Sequence, residues 1–276
     1  MKQFYPEYVW KDAPGTTDAA NEQLDLIVDG CHVYGTIYTP SKIFTEPHPV
    51  VVFFHGFPGT GHMDDLILAF RRCGCVTMTV YQRGAWGSDG KYLVSRCIED
   101  AKAVLTHIRS DAFTDTYHTD PEHIYFIGHS MGGNTVINTA KDMDGLKGLI
   151  LLAPFDPTLP MRMGHPELYQ TFLSIGLVMH TDGIDAMAED IMAHPEYEFL
   201  QALDTLKDMD LYLATAKADG DAPYDAHAAA LWEALAEKRT AALHRKKEYD
   251  CGHGFDSARI ELTEDIAAFL AESIRK

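Results

Sequence analysis

A serine between two glycines, at the join of an apolar strand and a helix, is the part of this chain best suited to chemistry. Gly128-His129-Ser130-Met131-Gly132 follows the run Ile124-Tyr125-Phe126-Ile127, and the residues beyond Gly133 carry Val136, Ile137 and Ala140 at helical spacing. A serine at such a turn is held in a strained backbone with its hydroxyl above the sheet, and the glycines remove side chains that would strike the adjoining strand and helix. Serine hydroxyls are weak nucleophiles at neutral pH, so a base must take the proton and a third group must orient that base. Of the fourteen histidines, His253 alone combines flanking glycines with a loop between an expected strand and the last expected helix. That loop belongs at the carboxyl edge of the sheet, with Ser130.

Three aspartates are candidates to orient His253. Asp219 comes directly after a strand expected over 211–215 and leads, Asp221 lies two residues further on, and Asp156 follows a strand expected over 149–153. Attack on a carbonyl creates an oxyanion, which needs two N–H donors aimed at the developing charge. The backbone of Met131 supplies one, and Phe57, in His55-Gly56-Phe57-Pro58-Gly59, the other; Pro58 has no N–H to give. His55 is expected to bond within its own loop. Asp64 and Asp65 suit the positive end of the helix they open.

These groups need a scaffold that brings strand ends together. Segments 24–28 and 33–38, joined by Asp29-Gly30, form an expected antiparallel hairpin. Continuous apolar runs at 49–54 and 75–80 have the pattern of buried parallel strands, with an expected helix between them at 64–73 and another at 95–109. Later strands are expected at 149–153, 211–215 and 243–249, and helices at 226–238 and 257–274. The alternation predicts an α/β fold, a mostly parallel doubly wound sheet with an antiparallel start, as one domain over 1–276. Residues 155–206 break the rhythm with two or three helices and no strand, a helical lid insertion. Met161, Phe172 and Met179 within it are candidates to line a substrate pocket, since methionine adapts to varied apolar shapes.

Composition narrows the function classes. A net charge of -18 opposes nucleic acids and anionic membranes and serves solubility, and the partner expected is a small-molecule substrate. No run reaches a membrane span, the first residues do not resemble a signal peptide, and the five cysteines have no paired spacing, so a cytoplasmic protein with reduced thiols is expected. No metal or organic cofactor is expected either, because no His-Glu-x-x-His cluster occurs. Oligomeric state stays open.

Taken together, the motifs resemble the α/β-hydrolase superfamily from about Leu24 onward. Gly128-His129-Ser130-Met131-Gly132-Gly133 is similar to its nucleophile elbow, His55-Gly56-Phe57-Pro58-Gly59 to its oxyanion loop, and Asp219 and His253 to its acid and base in that chain order. Gln82-Arg83-Gly84-Ala85-Trp86-Gly87-Ser88 resembles a further loop of the superfamily, although Tyr81 and Gln82 stand where an aspartate is usual. The hairpin and Asp120-Pro121-Glu122-His123 are similar to the branch of small acyl esterases, cinnamoyl-type esterases and prolyl-oligopeptidase-like domains. The resemblance implies a serine hydrolase that cleaves carboxylic esters through an acyl-enzyme. A peptidase or amidase acting on short peptides or acylated amino acids is the alternative within enzymes, with Arg162 or Glu189 as charged anchors. A catalytically silent binding protein is the alternative outside them.

Overall fold

The computed structural model describes residues 3–13, 18–59, 61–164 and 173–276. Strands β1 (Ala20–Val28) and β2 (Cys31–Thr39) pair antiparallel, with Val28 opposite Cys31. Asp29 and Gly30 between them both have positive φ, 50° and 76°, the turn geometry whose twist matches that of paired strands. Six strands follow: β3 (His48–Phe54), β4 (Val76–Tyr81), β5 (Thr119–His129), β6 (Gly148–Leu152), β7 (Asp210–Ala216) and β8 (His244–Tyr249). Their order in the single sheet is β1-β2-β4-β3-β5-β6-β7-β8, antiparallel from β1 to β4 and parallel beyond.

Parallel neighbours need crossovers. Helix α1 (Asp64–Arg72) links β3 to β4, α2 (Val94–Ile108) and α3 (Asp111–Tyr117) link β4 to β5, and α4 (Met131–Asp142) links β5 to β6. The order reverses at β3, which has β4 on one side and β5 on the other. A crevice is expected outside the carboxyl ends of the strands at such a reversal.

The continuous apolar runs are explained by burial on both faces. Val50, Val52, Phe54, Phe126, Leu149, Leu151, Leu211 and Leu213 point to the side packed with Ala101, Val104 and Leu105 of α2 and Val136 and Ile137 of α4. Their alternates Val51, Phe53, Tyr125, Ile127, Ile150 and Leu152 face Leu66, Ile67 and Phe70 of α1 and Leu262, Ile266 and Leu270 of the last helix, Arg259–Ser273. Strand period two thus assigns successive residues of one run to opposite cores. The β8 edge is covered in charge instead, with Arg245, Lys246 and Lys247 in a row, which discourages pairing with another strand.

Between β6 and β7 the described residues form helices Leu159–Arg162, Ile184–Ala193 and Leu203–Leu206 and three short 3-10 turns, and no strand. Leu173, Met187, Ile191 and Tyr197 pack with Val94, Cys97 and Ile98 of α2 and Met131 of α4. Three local expectations differ from the structure. The helix expected over 226–238 is two, Tyr224–His227 and Ala229–Ala236, interrupted where Ala228 adopts φ -116° and ψ -15°. Helix α3 had no apolar stripe to announce it; Ser110 caps it by accepting from Phe113 N–H at 3.3 Å. Strand β5 starts at Thr119, before the apolar run, with a register shift against β3 between His48 and Val50.

The loop after β4 is fastened from within. Arg83 is buried, and its Nε donates to Asp100 Oδ1 at 2.6 Å while its backbone N–H donates to Asp100 Oδ2 at 2.8 Å; Nη2 reaches Glu99 at 2.6 Å. Gln82, standing near the place of the usual aspartate, donates to Thr135 Oγ1 of α4 at 3.4 Å.

Candidate active site

Ser130 lies between β5 and α4 with φ 54° and ψ -120°, a conformation that L-residues seldom adopt and that calls for support from all sides. Its N–H donates to Leu152 O of β6, and its own carbonyl accepts from Gly133 and Phe155 N–H, each at 2.9 Å. A Cβ on Gly128 would collide with Gly132 O, and one on Gly132 with Phe54 O, so the turn closes only with glycine at both positions.

Asp219 and His253 arrive from neighbouring strands. The loops after β7 and β8 are stitched by Lys217 N–H to Tyr249 O at 2.9 Å and Ala218 N–H to Cys251 O at 3.0 Å. Across that seam His253 Nδ1 donates to Asp219 Oδ2 at 2.9 Å, with the Asp219 side chain 2% exposed. Burial would raise the Asp219 carboxyl, yet the His253 bond and the backbone N–H groups of Ala222 and Asp221, at 2.7 and 2.9 Å on Oδ1, outweigh it and hold the group below the usual carboxylate value. An ionised acid in this position orients the ring and leaves Nε2 as the acceptor.

The other aspartates are differently engaged. Asp156 is buried, accepts from Thr158 N–H and Oγ1 at 2.9 and 2.7 Å, and pairs with Arg162 Nη2 at 2.6 Å. Arg162 also meets Glu198 at 3.2 Å, so its charge is balanced by this chain's own acids. Asp221 is exposed and borders the cavity described next, without a bond to His253 among the described residues.

A cavity of about 310 Å³ opens over the serine, lined by Ser130 and His253, by Gly56, Phe57, Pro58 and Gly59 of the loop after β3, and by Phe155, Ile175 and Asp221. Phe57 thus borders the same cavity as Ser130, and Met131 directly follows the serine at the start of α4. No hydrogen bond joins Ser130 to His253 among the described residues. Of the pocket candidates from the sequence, Met161 is 43% exposed and is not on this cavity's wall, Met179 borders a second cavity nearby, and Phe172 falls outside the described residues. Ile175 and Phe155 line the first cavity in their stead. His55 donates from Nδ1 to Gly56 O at 2.8 Å, and burial lowers it to about 4, so it is a neutral strut of its loop. Asp219, Asp221 and His253 also bring three ligand-type atoms within 4.8 Å of one another, two of them already joined by the hydrogen bond just described.

One contact escapes sequence reasoning. His129, the residue before the serine, is buried and held neutral, its value lowered to about 3 by burial and by the neighbouring His253. Its Nε2 donates to the His253 carbonyl at 3.0 Å with the two rings 4.8 Å apart, so the elbow itself holds the histidine loop in place. Nothing in the spacing signals this, because the partner is a backbone carbonyl 124 residues away.

The sequence profile of the family described as "Serine aminopeptidase, S33" matches residues 45–194, more than half of the chain. The chain belongs to this family of α/β-hydrolases. A structure of Est1E from Butyrivibrio proteoclasticus with ferulic acid bound superposes with a TM-score of 0.70 at 18% identity, over 92% of this chain and 100% of that one. A fungal esterase from Rhizomucor miehei gives 0.69 at 17% identity, over 98% and 88%. Puromycin hydrolase gives 0.71 at 20%, over 93% of this chain but only 39% of its own length. At these identities the likeness concerns the fold. No curated protein matches the sequence. The protein is thus a hydrolase of the serine type by family, and no described helix is long and apolar enough to cross a membrane.

Proposed function

We propose that the protein is a carboxylic-ester hydrolase working through an acyl-enzyme on Ser130, with His253 as base and Asp219 as the acid that orients it. The observation that carries this reading is the 2.9 Å bond from His253 Nδ1 to a buried Asp219, beside a serine held at φ 54° on the wall of the same cavity. In the first step Ser130 Oγ attacks the acyl carbonyl and its proton passes to His253 Nε2, a contact that closes once substrate is seated. The negative charge on the carbonyl oxygen is met by the N–H groups of Phe57 and Met131. Collapse breaks the bond to the alcohol, which leaves with the proton from His253. Water then adds to the acyl-enzyme by the same route and releases the acid.

Residues 155–206 serve in this reading as a lid on a single hydrolase domain, since Phe155 and Ile175 contribute to the cavity wall. The five cysteines are all free, which suits a reducing cytoplasmic setting. A second reading, cleavage of amides bearing a free amine, is favoured by the Asp221 carboxylate on the cavity wall and by the family's description. Comparing short acyl esters with aminoacyl amides separates the two; an amide preference overturns the ester reading.

The direct test is labelling with a fluorophosphonate, whose phosphorus is attacked by an activated serine with loss of fluoride. Wild-type protein should be labelled at Ser130 and Ser130→Ala should be neither labelled nor active while remaining folded. Absence of labelling in folded wild-type protein would leave a silent binding protein as the surviving account.

A further inference from the structure

The chain leaves β6 for the cavity over Ser130 through Ala153-Pro154-Phe155-Asp156, and each N–H of this turn has an acceptor. Ala153 is left-handed at φ 42°, a costly state for a residue with a Cβ, and donates to Ala214 O of β7 at 2.9 Å. Pro154 has no N–H and lies so near α4 that a Cβ on Gly133 would strike it. Phe155 donates to Ser130 O at 2.9 Å, and Asp156 donates to Nδ1 of His227 at 3.1 Å.

The first two acceptors are carbonyls, which a backbone supplies whatever its side chains. The third is a side chain. His227 ends the short helix Tyr224–His227, which starts two residues after Ala222, and Ala222 N–H donates to Asp219 Oδ1 at 2.7 Å. His227 therefore ties the turn at Phe155, on the cavity wall, to the loop that carries Asp219. It is 8% exposed, and its ring centroid lies 4.4 Å from that of Phe155. Because the partner of Nδ1 is an N–H, Nδ1 is the bare nitrogen and the ring proton sits on Nε2. Burial lowers the group to about 4 and so favours this neutral form.

His227 takes no part in the proton transfers of the reaction. A buried N–H left without a partner is costly, so a turn deprived of this acceptor shifts until Asp156 finds another, and Phe155 moves with it. Misplacing a group that seats substrate by about 1 Å is enough to weaken catalysis. We propose that His227 is a positioning residue: by accepting the Asp156 N–H it holds Phe155 in place as the wall against which the ester is seated. This rests on the ester-hydrolase reading above.

The test is a double-mutant cycle read in KM and kcat for p-nitrophenyl butyrate. His227→Phe keeps an aromatic ring beside Phe155 but offers no acceptor. It should raise KM about tenfold with kcat within about threefold, since other bonds hold Ser130, His253 and Asp219. His227→Asn, whose Oδ1 can stand where Nδ1 does, should bring KM back to within about threefold of wild type. Phe155→Ala should raise KM about as much as His227→Phe, and the two together no further, because one acts through the other. Should His227→Phe not fold, His227→Ala, which leaves room for water at the Asp156 N–H, takes its place in the cycle with an expected rise of about threefold or more. A merely structural histidine would change the amount of active protein, and so kcat, with KM unmoved. An unchanged KM without the acceptor, an Asn variant as impaired as the Phe variant, or losses that multiply in the double variant overturn the positioning role while the ester reading stands. A wild-type protein that leaves the ester intact overturns that reading, and the role of His227 with it.

Discussion

The two walls of the first cavity are built in opposite ways. On one side the elbow is enclosed: Ser130 is pinned by β6, α4 is buried from Met131 to Ala140, and the strands beneath it are buried on both faces. On the other, the earlier part of the stretch between β6 and β7, which brings Ile175 to the cavity, leaves Met161, Met163, Ile175, Leu177 and Val178 exposed at 43% to 76%, while its later part is anchored in the main core by Phe199, Ala202 and Leu206. A serine at φ 54° persists only where surrounding packing over-determines it. Contacts that select a substrate carry no such constraint and can vary on a lightly packed element. Chemistry on the rigid wall and selectivity on the loose one is therefore the expected division.

Asp219→Asn is the sharpest way to break this contrast. It keeps the shape of the rigid wall yet should lower kcat about 10⁴-fold by leaving His253 in the wrong tautomer, whereas Asp221→Asn should cost less than about tenfold. Equal losses would show that the rigid wall does not hold the chemistry apart. In stability, Phe126→Ala beneath the elbow should cost about 3–5 kcal/mol by urea unfolding, and Leu177→Ala, on the exposed stretch that carries Ile175 to the loose wall, within about 0.5 kcal/mol. A costly Leu177→Ala would mean that this wall is as rigid as the first.

Acid provides a finer probe of the enclosed side. His55, His129 and His227 are kept neutral, chiefly by burial, with values lowered to about 4, 3 and 4 from 6.5. Between pH 6.5 and about 4 the unfolded chain takes up protons that the folded rings refuse, so stability falls as the pH drops, by up to about 1.4 kcal/mol per unit for each ring. His129→Asn should make the acid slope of unfolding free energy shallower by roughly one ring's share. An unaltered slope would show that His129 is not held neutral by the fold.

The fold was legible because its signals are local. Runs such as Pro49 to Phe54 are apolar at every position since both faces of the strand are buried, and Asp29-Gly30 marks its hairpin through the left-handed φ that both residues adopt. Helix α3 and the early start of β5 were not legible, because a single serine cap and pairing with β3 decide them, not periodicity. In the site, the strand–Ser130–helix turn and the glycines around His253 are local as well, so the sequence names both. Its choice among Asp219, Asp221 and Asp156 stayed open, and the pocket residues it put forward included Met161, which lies away from the cavity.

What the sequence by itself determined is a nucleophile turn, a histidine loop and the alternating elements that carry them, because strain, turn chemistry and hydrophobic period act between residues close in the chain. Only the tertiary structure decided which acid meets His253, since that depends on β7 and β8 lying side by side with their loops stitched together. It alone also brought His129 to the His253 carbonyl and Trp86 to Gly59, contacts that span 124 and 27 residues and obey no sequence period.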